Sequence, residues 1–144
     1  MSESSIATFK NILSQNGYRI TTARMSLFQT LLNSEPLSLR EVLEKANDTI
    51  DRVSVYRNIE LFEKLHIIKR ITIGWKYKLE LSDTFVAHHH HLSCLSCGKI
   101  IDIVDESSVE QFIKNISRSL SFTPLNHHFE IDGYCFECTA NKTA

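Results

Sequence analysis

The sequence predicts an α+β chain. An amino-terminal winged helix-turn-helix is followed by a smaller carboxy-terminal α/β part built around a four-cysteine zinc site. Three observations point there. Four stretches with apolar residues at helical spacing precede two β-like runs that flank Gly74. The pattern then changes after residue 82, where short β-like runs surround one amphipathic helix. All four cysteines fall in two Cys-x-x-Cys pairs, Cys94/Cys97 and Cys135/Cys138.

Each element has its own local reason. Ser4-Ser5 is expected to cap a first helix that carries Ile6, Phe9 and Leu13 and closes at Gly17. Thr21-Thr22 opens a second, with Met25, Phe28, Leu31 and Leu32 on one face, broken by Pro36. Ser38-Leu39-Arg40-Glu41 is a capping box, and the helix it starts buries Val42, Leu43 and Ala46. Asp51 suits the amino end of a fourth helix through Val55, Ile59 and Phe62. His66–Ile73 and Trp75–Leu81 then read as a hairpin. Beyond it, strands are expected over Ala87–Cys94, Lys99–Val104 and His127–Ile131, with a helix over Ser108–Leu120.

A length of 144 residues allows one medium domain or two small ones, and 42% hydrophobic with 23% charged residues is ordinary for a globular chain. The start, Met1–Ser5, lacks the basic and apolar regions of a signal peptide. No apolar run approaches the ~20 residues that span a bilayer. The expectation is a soluble, cytoplasmic protein without a membrane partner. Residues 1–80 hold 12 Lys/Arg against 9 Asp/Glu, and residues 81–144 hold 4 against 8. That asymmetry suits a first half facing a polyanion and a second half holding cations.

Two Cys-x-x-Cys turns can complete a tetrahedral zinc shell and leave no open position, as a structural site does. Disulfides do not suit a cytoplasmic chain, and a thioredoxin-like motif needs one pair in a βαβ setting that is missing here. His88-His89-His90-His91 follows the hairpin. On a strand, His89 and His91 face one side and His88 and His90 the other, so the run can feed two metal sites. Imidazole with carboxylate suits zinc, iron, manganese or nickel. Glu80 is the near carboxylate, with Glu110 and His127 more distant candidates. In the fourth helix Arg52, Ser54, Tyr56, Arg57 and Asn58 are residue types that reach phosphates and base edges when a helix amino end enters the major groove.

Together these stretches resemble the ferric uptake regulator family of metal-sensing bacterial transcription regulators. The matching segments are Gly17-Tyr18-Arg19-Ile20-Thr21-Thr22-Ala23-Arg24, Ser54-Val55-Tyr56-Arg57-Asn58, and His88–His91 leading into Cys94-x-x-Cys97-Gly98-Lys99. Asn126-His127 and Gly133-Tyr134-Cys135-x-x-Cys138 complete the set. The resemblance implies a DNA-binding winged helix over 1–82, a hinge over 83–87, and a dimerisation and metal-binding domain over 88–144. It adds Arg19 and Arg24 to the DNA-binding residues. It implies Cys94, Cys97, Cys135 and Cys138 on structural Zn2+, Glu80, His89 and His91 on a regulatory metal, and His88, His90, Glu110 and His127 on an additional site. His90 stands where the family often has Asp. Glu35-Pro36 occupies the loop where many members place a histidine ligand, so Glu35 is a candidate replacement.

The function so implied is a homodimeric, metal-dependent repressor that binds a double-stranded DNA operator and serves metal homeostasis. Regulatory metal on Glu80, His89 and His91 is expected to fix the spacing of two recognition helices. Iron(II) is the first choice of sensed metal, then zinc, then manganese. Peroxide sensing also occurs in the family, and Glu in place of Asp at position 80 speaks against it. Two readings of other classes remain. An enzyme needs an open metal position and a general base, and no His-Glu-x-x-His pattern supplies them. A zinc-stapled protein-interaction module needs neither Tyr56, Arg57 nor a wing.

Overall fold

The computed structural model describes residues 2–46, 48–103 and 107–142. They form two compact units, Met1–Ala87 and His88–Ala144.

In the first unit α1 (Ser2–Gln15), α2 (Thr22–Leu32), α3 (Leu39–Ala46) and α4 (Arg52–Lys64) precede the antiparallel hairpin β1 (Ile68–Ile73) and β2 (Lys76–Leu81). The expected cap at Ser4-Ser5 is incorrect. Both residues lie inside α1, where Glu3 in the first turn complements the helix dipole, and the Ser4 carbonyl accepts from the Thr8 hydroxyl at 3.0 Å. The other starts form as local chemistry dictates. Thr21 accepts from the Arg24 N–H at 3.3 Å. Ser38 and Glu41 exchange reciprocal bonds of 2.7 and 3.3 Å. Asp51 accepts from the Ser54 N–H at 3.0 Å.

α1 ends where Gly17 takes φ 76° and the Tyr18 N–H reaches back to the Leu13 carbonyl. α4 ends the same way, with His66 at φ 53° and the Ile67 N–H on the Phe62 carbonyl at 2.8 Å. Thus His66, expected in the strand, is instead the left-handed residue that stops the helix. The core brings Phe9 onto Phe28 in a stack with centroids 4.1 Å apart and sets Phe62 edge-on at 5.3 Å. All three are wholly buried, each stabilising the fold by about 1.5–3 kcal/mol. Leu37 pairs with Leu79 and lengthens the hairpin's sheet. Phe85 lies edge-on to Phe28, centroids 5.0 Å apart, and Val86 packs on the same core.

In the second unit β3 (His90–Cys94) is the central strand, with β4 (Ile100–Ile103) antiparallel on one side and β5 (Glu130–Gly133) parallel on the other. A parallel neighbour needs a crossover, and α5 (Ser107–Ser119) lies in that connection. β3 and β5 are shorter than expected, starting at His90 and Glu130, and β5 runs on to Gly133. Val104, expected at the end of the second strand, lies outside the described residues. A last helix, α6 (Phe136–Lys142), was not expected. α5 has no fully buried residue, and Phe112 and Leu120 are 64% and 72% exposed.

Candidate metal centres and nucleic-acid interface

Core contacts of Val55, Ile59 and Phe62 fix which side of α4 meets solvent. Arg52, Val53, Tyr56 and Arg57 are exposed, and Ser54 is half-buried. Val53, absent from the expected set, is 57% exposed beside Tyr56. It lies off the apolar stripe that defines the helix, and that displacement is the signal for it. Asn58 is placed differently from its neighbours. It is 8% exposed, donates to the Ser54 carbonyl at 2.8 Å and accepts from Arg24 Nε at 3.2 Å. Arg24 also donates to the Arg19 carbonyl and lies 5.6 Å from the centre of the Tyr18 ring. The Asn58 side chain is therefore committed within the unit to holding a cation. Arg19 itself is exposed.

The cysteine pairs meet because the turn after β3 is closed by Gly98, at φ 74°, with bonds from the Gly98 N–H to the Cys94 carbonyl and from the Cys94 N–H to the Lys99 carbonyl. The second pair arrives on the turn into α6, where the Cys135 N–H donates to Cys94 Sγ at 3.3 Å. All four sulfurs lie within 4.8 Å of one another, and Cys97 Sγ is 3.8 Å from Cys135 Sγ. Tetrahedral zinc with bonds of about 2.3 Å sets its sulfurs about 3.8 Å apart, so the residues fit such an ion. The N–H groups of Cys97 and Cys135 lower the Cys94 thiol to about 6. Cys138 is lowered by a hydrogen bond with Ser96 but pushed up, to about 12, by Cys135, burial, Cys97 and Cys94. Four thiols so crowded cannot all ionise without a cation among them.

A second cluster joins His90 at the start of β3 and Glu110 on α5 to His88 and His127, which precede β3 and β5. His88 Nε2 is 3.1 Å from His127 Nε2. One Glu110 oxygen is 3.4 Å from His88, 3.3 Å from His90 and 2.9 Å from His127. Nitrogen and oxygen ligands about 2.0–2.2 Å from one ion stand about 3.3 Å apart in a tetrahedron, which fits all four. Burial opposes ionisation of Glu110, but the His127 charge and the His90 hydrogen bond hold its carboxyl below the usual range.

His89 and His91 turn away from that set and lie ring to ring, centroids 4.6 Å apart. His91 pairs across the sheet with Asp102 on β4, whose carboxylate is 3.6 Å from His91 Nε2. Asp102 was missed in the sequence. Counting back from the Cys94–Lys99 turn gives the register that places it. In the first unit Glu80 lies on β2, 3.4 Å from Lys69 Nζ, and Lys69 also binds Asp83 at 2.8 Å. Glu35 is exposed in the turn between α2 and α3.

A winged helix followed by a sheet that carries two clusters of metal-ligating residue types fits the class of metal-responsive DNA-binding regulators. The model of the ferric uptake regulator family matches residues 15–132. The chain is 29% identical over 148 residues to the ferric uptake regulation protein of Bacillus subtilis, covering 98% of this chain and 99% of that protein. It is 31% identical to the peroxide-responsive repressor PerR of Staphylococcus epidermidis, with 94% and 89% covered. The solved structure of the Vibrio cholerae ferric uptake regulator matches with a TM-score of 0.72 at 28% identity, covering 88% of this chain and 98% of that one. The chain belongs to the ferric uptake regulator family. It is a metal-responsive transcriptional repressor and not an enzyme. Regulators of this family bind DNA and are generally dimeric. No described helix is long and apolar enough to cross a membrane.

Proposed function

We propose that this chain is a cytoplasmic, homodimeric repressor of metal-homeostasis genes, with Zn2+ on its four cysteines and iron(II) as the sensed ion. The carrying observation is that the histidine run supplies two separate groups. His88 and His90 join Glu110 and His127, while His89 and His91 lie together with Asp102 beside them. The sulfur set suits zinc, and the nitrogen and oxygen sets suit iron, zinc or manganese. The names of the relatives favour iron first. The peroxide-responsive relative supports a second reading, in which a ligand histidine is oxidised; Glu80 in place of Asp speaks against it.

Glu80, His89 and His91 are the regulatory ligands in this reading, with Asp102 completing the set in place of Glu35. A regulatory ion supplies a bond that joins the first unit to the second and favours one arrangement of the dimer. The apolar side chains of α5, together with Leu92, Ile101 and Ile131, each 36–46% exposed, supply surface for a second copy to cover. Phe85 and Val86 pack against the first unit's core, which supports a hinge at the far end of the expected 83–87 segment.

DNA is read by the exposed side of α4. Tyr56 and Arg57 reach bases or phosphates, while Arg19, Arg52 and the α4 amino end meet the backbone. Ser54 and Asn58 act from behind, Asn58 by orienting Arg24. The testing experiment is metal analysis of protein purified without chelator, joined to DNA binding under iron(II), zinc and manganese. Iron-dependent binding with one zinc per subunit supports this account; metal-independent binding overturns it.

A further inference from the structure

The hairpin β1–β2 ends in a two-residue turn, Gly74-Trp75, because Ile73 pairs with Lys76. Gly74 takes φ 58°, the sign that a hairpin turn with glycine in first place requires. The turn puts Trp75 at the hairpin tip, where it is 89% exposed. Ile68, Leu79 and Leu81 anchor the base of the hairpin in the first unit's core, and the indole adds nothing to that core. Lys76 Nζ lies 4.8 Å from the centre of the indole ring. Charge is one-sided here. Lys76 and Lys78 flank the tip, and no acidic residue occurs between Thr72 and Leu79. Nearer the base the cations are neutralised, Lys69 by Glu80 and Asp83 and Arg70 by Glu63.

We propose that Trp75 is a DNA-contacting residue. Its indole packs on the sugar edge of the duplex beside the segment read by α4, and Lys76 pairs with a phosphate there. Minor-groove proteins combine cationic side chains with an apolar one at the groove, and Trp75 beside Lys76 offers that combination. The absence of acidic residues at the tip suits a polyanion rather than a basic protein surface. A contact with sugar and phosphate adds affinity without selecting a base sequence. This inference rests on the reading of α4 as the recognition helix.

Trp75 is the chain's single tryptophan, so its emission reports on the tip alone. Metal-loaded protein is titrated with a duplex selected by the wild-type chain from a random library, and acrylamide quenching is followed. The expected result is lower quenching on the duplex. Trp75→Ala weakens binding about fivefold with the selected sequence unchanged, and Trp75→Phe restores part of the loss. Lys76→Ala reduces the salt slope by about one. An indole as accessible on the duplex as off it, while Arg57→Ala loses binding, overturns the assignment and leaves the recognition helix standing. Shielding before any DNA is added overturns it in favour of a protein contact. If Arg57→Ala binds like wild type while the indole is shielded, the reading of α4 fails and the placement of the hairpin beside a recognition helix fails with it.

Discussion

Arg24 Nε donates to Asn58 Oδ1 across 3.2 Å, joining the start of α2 to the middle of α4. Asn58 has little exposure of its own, so its contribution to DNA binding passes through the cation it holds. Asn58→Ala frees the Arg24 side chain and is expected to weaken DNA binding about threefold to tenfold, with helix content near wild type. A gel-shift titration beside circular dichroism checks this. Unchanged affinity removes Asn58 and Arg24 from the interface.

The left-handed residue His66 makes a stability prediction. A non-glycine residue at φ 53° is strained by its Cβ, and glycine is not. His66→Gly is expected to stabilise the first unit by about 0.5–1 kcal/mol, the relief exceeding glycine's greater unfolded-state entropy. Urea unfolding of the metal-loaded protein measures it. A lower midpoint would show that the imidazole contributes more than its backbone costs.

What the sequence disclosed and what it hid divide along the range of the interactions. Thr21, Ser38 with Glu41, and Asp51 were legible because a cap is made by residues three apart. Ser4-Ser5 misled because the same residue types also stand in the first turn of a helix. The four thiols were legible from spacing alone. Asp102 was not, since its place beside His91 depends on the β3–β4 register. Helix α6 has little apolar pattern, and its second-unit setting gives no strong periodic signal. Asn58 shares the polar character of its neighbours on α4, and only the fold turns it inward.

Acid should act on the caps. The Ser54 groups hold the Asp51 carboxyl below its ordinary value, and the Ser38 groups do the same for Glu41. A carboxyl lowered in the folded state contributes stability above its unfolded pKa of about 4, and that contribution is lost as pH falls through the lower folded value. Asp51→Asn keeps a cap and removes the titration. Its unfolding free energy is expected to fall less steeply below about pH 4 than wild type. Parallel curves would show that Asp51 is not responsible.

Lys69 sits 3.4 Å from Glu80, its cross-strand partner, and competes with any cation for that carboxylate. Lys69→Met is expected to tighten the regulatory metal site about threefold to tenfold. Competition with a metal-binding dye measures the constant. Weaker binding would mean that Lys69 positions Glu80 for the ion, and an unchanged constant would place Glu80 outside the ligand set.

The most direct measurement is metal content and DNA affinity in two double variants. His89→Ala with His91→Ala is expected to leave the cysteine-bound zinc in place and abolish metal-dependent DNA binding. His88→Ala with His90→Ala should lose one ion per subunit and keep a metal response, weakened about tenfold or less. Equal loss of metal and of DNA binding in both variants would show that the histidine run serves one site, and would contradict the division of labour along His88–His91.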